Sequence, residues 1–212
     1  MTASQPFDPF MEWFVLPFLR DKAEKSRAKA LNQTKVALPV LGRAGQDGLL
    51  HPSAVAAINQ ELGKLPYRAD PLLFDYYTHP GVQARCLTTG DWRIQGSNEQ
   101  WSCDCDDFAA YAYELFKLTG AKEGHGFWIW NLIINPSDQL WNAWANHVIL
   151  GFRQYENGRY KTGVMDTNSA ANRQIIWFDL PPDQAESAVL LHFSKLYKVV
   201  YYRAIRVEYP FK

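Results

Sequence analysis

The fold is decided by the stretch WSCDCDDFA, residues 101–109, because a helical pattern begins inside it. Asp104 is a favourable N-cap residue, and the two carboxylates that follow it complement the positive end of the helix dipole. An apolar stripe follows Cys105 at helical spacing and contains Phe108, Ala109, Ala112, Leu115 and Phe116. Gly120 ends the pattern. Cys105 therefore lies at the N-terminal end of the core-facing stripe of this helix.

The position of Cys105 bears on its chemistry. A thiol at a helix N-terminus can have a pKa well below its usual value of about 8.5. The three Asp residues around Cys105 act in the opposite direction, because negative charge disfavours a thiolate. A protonated His partner would be needed to stabilise the thiolate against these negative charges.

A hairpin downstream predicts a His–Asp pair. Asn157-Gly158 is a strong signal for a type I′ turn. A two-residue turn there places His147 and Asp166 on the same face of neighbouring strands, with Cβ atoms roughly 6–8 Å apart. A bulge of one residue would separate them. The sequence therefore predicts a hydrogen-bonded His147–Asp166 pair.

Each of these three residues also has an ordinary structural explanation. A Cys at a helix start is often a small buried hydrophobe, a strand His is often a hydrogen-bonded structural residue, and Asp166 can begin a turn. Together, a Cys at a helix N-terminus and a His–Asp pair are the groups that a cysteine acyl-transfer enzyme uses.

Composition excludes several classes of protein. The chain has 212 residues, the length of one domain with or without an appendage. Lys plus Arg number 22 and Asp plus Glu number 22, which argues against nucleic-acid binding through a basic footprint. The cysteines are Cys86, Cys103 and Cys105, and this odd, low count favours neither a disulfide scaffold nor a zinc site.

The N-terminal region predicts neither a signal peptide nor a transmembrane segment. It lacks a basic leader with a small-residue cleavage site, and its apolar run from Phe10 to Leu19 is too short to span a bilayer. We therefore expect a cytoplasmic protein. A helix from Pro9 to about Ala30 needs a partner surface for its apolar half, which the core or a second subunit would supply, giving a homo-oligomer in the second case. An interfacial membrane helix is the alternative.

Helices precede strands along the chain, which indicates an α+β fold with an antiparallel sheet. Further helices are predicted for Ala54–Leu62, capped by Ser53, and for Pro71 to about Thr78, stopped by Pro80-Gly81. The predicted strands are Phe127–Ile134, His147–Arg153, Tyr160–Asp166, Gln174–Phe178 and Tyr197–Val207. Residues 1–80 are expected to form a helical extension packed on a core of residues 81–212, within a single domain.

The sequence resembles the transglutaminase-like superfamily, above all the bacterial transglutaminase-like cysteine proteinases. That family typically has Gly-Asp-Cys-Glu-Asp-Tyr-Ala at its nucleophile, and residues 103–109 read Cys-Asp-Cys-Asp-Asp-Phe-Ala. The family's His is followed by apolar strand residues, as His147 is here, and its Asp lies on the next strand, often with an Asn nearby, as with Asp166 and Asn168. The resemblance covers about residues 92–169. The family's Gly is replaced by Cys103, which leaves two thiols as candidate nucleophiles, with Cys105 in register.

The resemblance implies a papain-like fold in which the Cys-bearing helix packs on the antiparallel sheet, with extra N-terminal helices. It makes Cys105 the nucleophile, His147 the general base and acid, and Asp166 the residue that orients the imidazole. No cofactor is required, but some members bind calcium through acidic residues that correspond to Asp104 and Asp106. Helix-end electrostatics is the alternative role for these two carboxylates.

The second donor of an oxyanion hole is not fixed by sequence. The backbone N–H of Cys105 is one donor, and Gln95, Gln100 and Trp101 are candidates for the other. Trp141 and Trp144 either line a substrate groove or belong to the core.

The sequence thus predicts a cysteine peptidase or amidase that acts on a peptide or protein substrate through a thioester, with transamidation as another outcome of the same chemistry. The alternative is a non-catalytic binding or scaffold domain of the same fold.

Overall fold

The computed structural model describes residues 35–69, 77–95, 98–133, 147–166 and 174–207. The helix expected from Pro9, most of the helix expected from Pro71, the two tryptophans Trp141 and Trp144, and Asn168 lie outside these residues.

Within the described residues, four helices and one five-stranded antiparallel sheet form an α+β fold. The helices are α1 (Pro52–Leu62), α2 (Pro80–Thr89), α3 (Cys105–Leu118) and α4 (Pro182–Tyr197). The strands are β1 (Phe127–Ile133), β2 (His147–Glu156), β3 (Arg159–Met165), β4 (Ile176–Phe178) and β5 (Arg203–Val207). The strand order in the sheet is β4-β3-β2-β1-β5.

The β2–β3 hairpin has the register that the sequence predicts. Asn157 and Gly158 have φ values of 53° and 81°, as a type I′ turn requires. Tyr155 lies opposite Tyr160, and the pairing continues without a bulge as far as Leu150 and Met165. The ends of β2 and β3 that carry His147 and Asp166 are therefore adjacent.

The two faces of the sheet are covered by different helices. On one face, which we call the α3 face, Phe127 and Ile129 pack in a core cluster with residues of α3 and α1. On the other, the α4 face, Trp128 and Trp130 pack with residues of α4. Because side chains alternate along a strand, β1, β2 and β3 each contribute to both clusters.

One predicted helix start is wrong and helix α2 was not predicted, and both of these helices begin at a proline. Pro80 begins α2, and His79 Nδ1 caps this helix by accepting a hydrogen bond of 3.0 Å from the backbone N–H of Gly81. In the same way α1 begins at Pro52, and its N-cap is His51 instead of Ser53. A His followed by a Pro starts each helix, since Pro is favoured at the first helical position.

Helix α4 was not predicted, and the strand expected from Tyr197 begins at Arg203 instead. Ala185, Val189 and Phe193 recur at intervals of four residues and are all fully buried. The β-branched and aromatic residues that follow this helix indicated a longer strand than the one that forms. None of the described helices is long and apolar enough to cross a membrane.

Candidate active site

Cys105 is the first residue of α3 and keeps partial solvent exposure, whereas Cys86 and Cys103 are buried. Its thiol is hydrogen-bonded by the backbone N–H of Val148, the second residue of β2. This contact fixes the N-terminus of α3 beside the start of β2, next to His147.

The predicted contact between His147 and Asp166 is present. His147 Nε2 lies 2.5 Å from Asp166 Oδ1, and the two residues are only 5% and 2% exposed. Asp166 immediately follows β3, so the hairpin register alone brings it to this position. With Nε2 directed to Asp166, Nδ1 is the ring nitrogen left to exchange a proton with a nucleophile.

Helix α4 adds a tyrosine that sequence reasoning missed. The Tyr197 hydroxyl donates a hydrogen bond of 3.1 Å to Asp166 Oδ2 and lies 3.5 Å from His147 Nε2. The rings of Tyr197 and Phe193 pack on the imidazole, with centroid distances of 4.9 and 5.5 Å. The signal was present in the sequence, since Tyr197 continues the four-residue spacing of Val189 and Phe193.

The electrostatic environment of Cys105 differs from that of an isolated helix end. Burial raises the pKa of the Cys105 thiol well above its ordinary value, and the charges of Asp106, Asp104 and Asp166 raise it further. The hydrogen bond from the Val148 N–H lowers the pKa of this thiol, but by less than burial and the charges raise it. Burial and these charges therefore disfavour the thiolate form of Cys105.

A buried polar cluster fixes the first turn of α3 from behind. The fully buried Asp107 carboxylate accepts a hydrogen bond from the backbone N–H of Thr78. The Thr78 hydroxyl lies 3.0 Å from that of Ser102, and Gln83 on α2 donates to the Asp107 carbonyl at 2.9 Å. Asp107 thus anchors the helix that carries Cys105, a role that the sequence pattern does not distinguish from helix-end electrostatics.

The three candidate oxyanion donors occupy different environments. Gln95 and Gln100 are exposed, and Gln100 Oε1 accepts a hydrogen bond from the guanidinium of Arg68. Trp101 is buried, and its backbone N–H donates to Trp92 O at 2.8 Å. Their role as oxyanion donors stays a prediction.

Asp104 and Asp106 form a candidate cation site with Cys105. One ligand atom from each of the three residues lies within 4.8 Å of the others. Among the described residues, Asp104 Oδ1 is buried and has no hydrogen-bond partner. Two carboxylates, one with an unpaired buried oxygen, are donors that a hard cation such as calcium prefers, whereas the thiolate is a soft donor.

The comparisons with known proteins give distant similarities only. No family model matches the chain, and no curated protein matches it. Three solved structures of LapG from Legionella pneumophila are similar, each over 79% of this chain and 77% of that one. The TM-score is 0.37 at 15% identity for one, 0.36 at 16% for the EGTA-treated form and 0.37 at 14% for the calcium-bound form. At this distance, function has to be inferred from the residues of the chain itself.

Proposed function

We propose that this protein is a thiol-dependent hydrolase or acyl transferase that acts on peptide or side-chain amide bonds, with the papain-like architecture that its sequence motifs imply. One observation carries the proposal. His147 of the buried His147–Asp166 pair is the first residue of β2, and the backbone N–H of the next residue, Val148, contacts the thiol of Cys105. On this proposal Cys105 is the nucleophile, His147 is the base and Asp166 is the group that orients the base.

The proposed reaction proceeds in two stages. The Cys105 thiol attacks the carbonyl carbon of the amide while His147 takes the thiol proton, and His147 then gives that proton to the departing amine. The product of this stage is a thioester on Cys105. Water or a second amine attacks the thioester next and restores the free thiol, which gives hydrolysis or transamidation.

The supporting groups have separate tasks in this scheme. Asp166 accepts a hydrogen bond from Nε2–H, holds one tautomer of His147 and stabilises the imidazolium that forms. The raised pKa of Cys105 means that proton transfer to His147 accompanies the attack. The backbone N–H of Cys105, at the N-terminus of α3, supports the developing oxyanion.

Calcium fits beside this nucleophile as an auxiliary ion. Asp104 and Asp106 would hold it, with the buried Asp104 Oδ1 as one ligand. When bound, the ion supplies positive charge that offsets the two carboxylates next to Cys105.

A non-catalytic binding or scaffold domain is the second candidate, and the raised pKa of the Cys105 thiol is the observation that favours it. A thiol that stays neutral and inert would be a structural residue.

Alkylation by iodoacetamide distinguishes the two functions. Because only Cys105 combines partial exposure with a neighbouring His147, it should be modified faster than Cys103 and Cys86. His147→Ala should slow this alkylation at neutral pH, while His125→Ala, which alters an exposed histidine, serves as the control. Peptide mapping by mass spectrometry gives the rate at each thiol. Equal modification of Cys103, or a rate at Cys105 that does not depend on His147, would favour the scaffold.

A further inference from the structure

A row of three partly exposed side chains crosses the α3 face of the sheet at the end that carries Cys105. Asn131 on β1 lies opposite Val148 on β2 and, on its other side, opposite Ile205 on β5. Their place on the α3 face follows from alternation, since Ile129 and Leu150, two residues further along, pack in the α3 cluster.

The course of α3 along the sheet places this row at the level of the nucleophile. Near the other end of the helix, Phe116 packs against Phe127 and Phe152, with ring centroids 5.5 and 5.3 Å away. At the start of the helix, Cys105 reaches the backbone of Val148. Asn131 is one strand further across the sheet, at the usual spacing of about 4.8 Å. An extended chain leaving Cys105 across β2 would therefore pass over Asn131.

The carboxamide of Asn131 has unused hydrogen-bonding capacity. Within the part of the chain that the structure describes, Asn131 Oδ1 is buried and has no hydrogen-bond partner. Its neighbours in the row, Val148 and Ile205, have apolar side chains that provide no polar group. A buried amide oxygen left unpaired is unfavourable and calls for a partner that arrives from outside.

We propose that Asn131 is a substrate-positioning residue whose carboxamide pairs with a backbone peptide group of the substrate. A carboxamide has an acceptor and donors side by side, which match the N–H and C=O of one peptide unit. Val148 and Ile205 then contact the apolar parts of the substrate on either side. The inference rests on the proposed function and narrows it, because it makes the substrate an extended peptide lying across β2, β1 and β5.

A pair of alkylating probes tests this contact. N-acetyl-dialanyl chloromethyl ketone transfers its peptidyl methylene to the thiol with loss of chloride, and in its ester analogue the central amide N–H is replaced by oxygen. The wild-type protein should alkylate at Cys105 roughly five- to tenfold faster with the amide probe, the effect of about one hydrogen bond. Asn131→Leu should abolish this preference when each rate is divided by the iodoacetamide rate of the same variant.

Stability gives a second readout that a purely structural Asn would not produce. Because Asn131→Leu removes an unpaired buried oxygen, its melting temperature should be unchanged or higher. Gln154→Leu is the matched control, since Gln154 is a buried amide on the same face of β2, six residues and about 20 Å from Val148. This control should keep the preference for the amide probe.

The outcomes separate this inference from the proposed function. If the wild type shows no preference for the amide probe, or if Asn131→Leu keeps the preference, Asn131 does not bind the substrate, although Cys105 remains the nucleophile. Loss of the preference in Gln154→Leu as well would assign the effect to general packing of the sheet and would also overturn the inference. Failure of iodoacetamide to select Cys105 would overturn the proposed function and this inference together.

Discussion

At the scale of single residues, the His147–Asp166 pair depends on a hydroxyl that comes from a third element. Asp166 is almost completely buried, and its two carboxylate oxygens are directed to different partners, Oδ1 to His147 and Oδ2 to Tyr197. A buried carboxylate needs such donors, because desolvation disfavours its charge. The tyrosine therefore belongs to the candidate site as much as the pair itself.

Removing the Tyr197 hydroxyl tests this dependence. Tyr197→Phe keeps the ring that packs on His147 but withdraws the hydrogen bond to Asp166. We expect the free energy of unfolding to fall by about 1.5–3 kcal/mol, the range for a hydrogen bond to a charged group. Tyr202→Phe, at a residue that is 63% exposed, should change it by less than about 0.5 kcal/mol. Urea denaturation measures both, and equal effects would show that the Tyr197 contact contributes nothing specific.

The acidic residues beside Cys105 give the second residue-scale prediction. If Asp104 and Asp106 hold calcium, millimolar calcium should raise the melting temperature of EGTA-treated protein by mass action. Asp104→Asn should abolish the rise, because Asn is an equally good N-cap residue but brings no charge. Asp179→Asn, at an exposed carboxylate paired with Arg159, is the control. If calcium still raises the melting temperature of Asp104→Asn, Asp104 and Asp106 do not hold the ion, and their role is helix-end electrostatics alone.

At the scale of elements, the features that could be predicted from the sequence are those that depend on residues close together in the chain. The Asn157-Gly158 turn determines the register of β2 and β3, and that register alone brings His147 and Asp166 together. The N-terminus of α3 was equally readable from Asp104 and the stripe that follows it. The four-residue spacing of Val189, Phe193 and Tyr197 marks the buried face of α4, but the contact of Tyr197 with Asp166 was not readable, because it depends on how α4 packs on distant strands. The position of Asn131 between β2 and β5 was not readable either, because β1 and β5 are far apart in the sequence.

The N-terminus of α2 leads to a pH dependence. Burial, and then the charge of Lys35, lowers the pKa of His79 from its ordinary value of 6.5, while His79 Nδ1 caps the helix. Between the lowered value and 6.5 the unfolded chain binds more protons than the folded one, so stability rises with pH through this window and is lost as pH falls.

A matched pair of variants isolates this contribution. His79→Asn keeps a capping side chain but does not titrate, so its free energy of unfolding should fall less between pH 7 and pH 5 than that of the wild type. His125→Asn, at an exposed histidine, should follow the wild type. Chemical denaturation at several pH values measures the slopes. Identical slopes for His79→Asn and the wild type would contradict the assignment.

At the scale of the whole molecule, the helices that precede the Cys helix contribute to the same core. Val55, Ile58 and Leu62 of α1 are buried in the cluster that also holds Phe108 and Phe116 of α3. Helix α2 contacts the first turn of α3, because Gln83 donates a hydrogen bond to the backbone carbonyl of Asp107. The support of Cys105 therefore extends well upstream of the motif by which it is recognised.

The segment that precedes these helices is expected to need a partner surface. Its apolar residues are Phe10, Met11, Trp13, Phe14, Val15, Leu16, Phe18 and Leu19. Deleting residues 1–30 should lower the melting temperature or cause aggregation, and Phe14→Asp should act in the same direction whereas Lys25→Ala should not. Light scattering and thermal denaturation measure both effects. A truncated protein that stays monomeric and equally stable would show that the segment is a detachable arm.

The proposed function is tested most directly by trapping the thioester. The protein is mixed with p-nitrophenyl acetate at neutral pH, and the modified residue is identified by mass spectrometry of its peptides. We predict one acetyl group on Cys105, its release by water or an added amine, and its absence in His147→Ala but not in His125→Ala. Acetylation of Cys103 instead, or no acetylation of Cys105, would contradict the assignment of Cys105 and His147 as nucleophile and base.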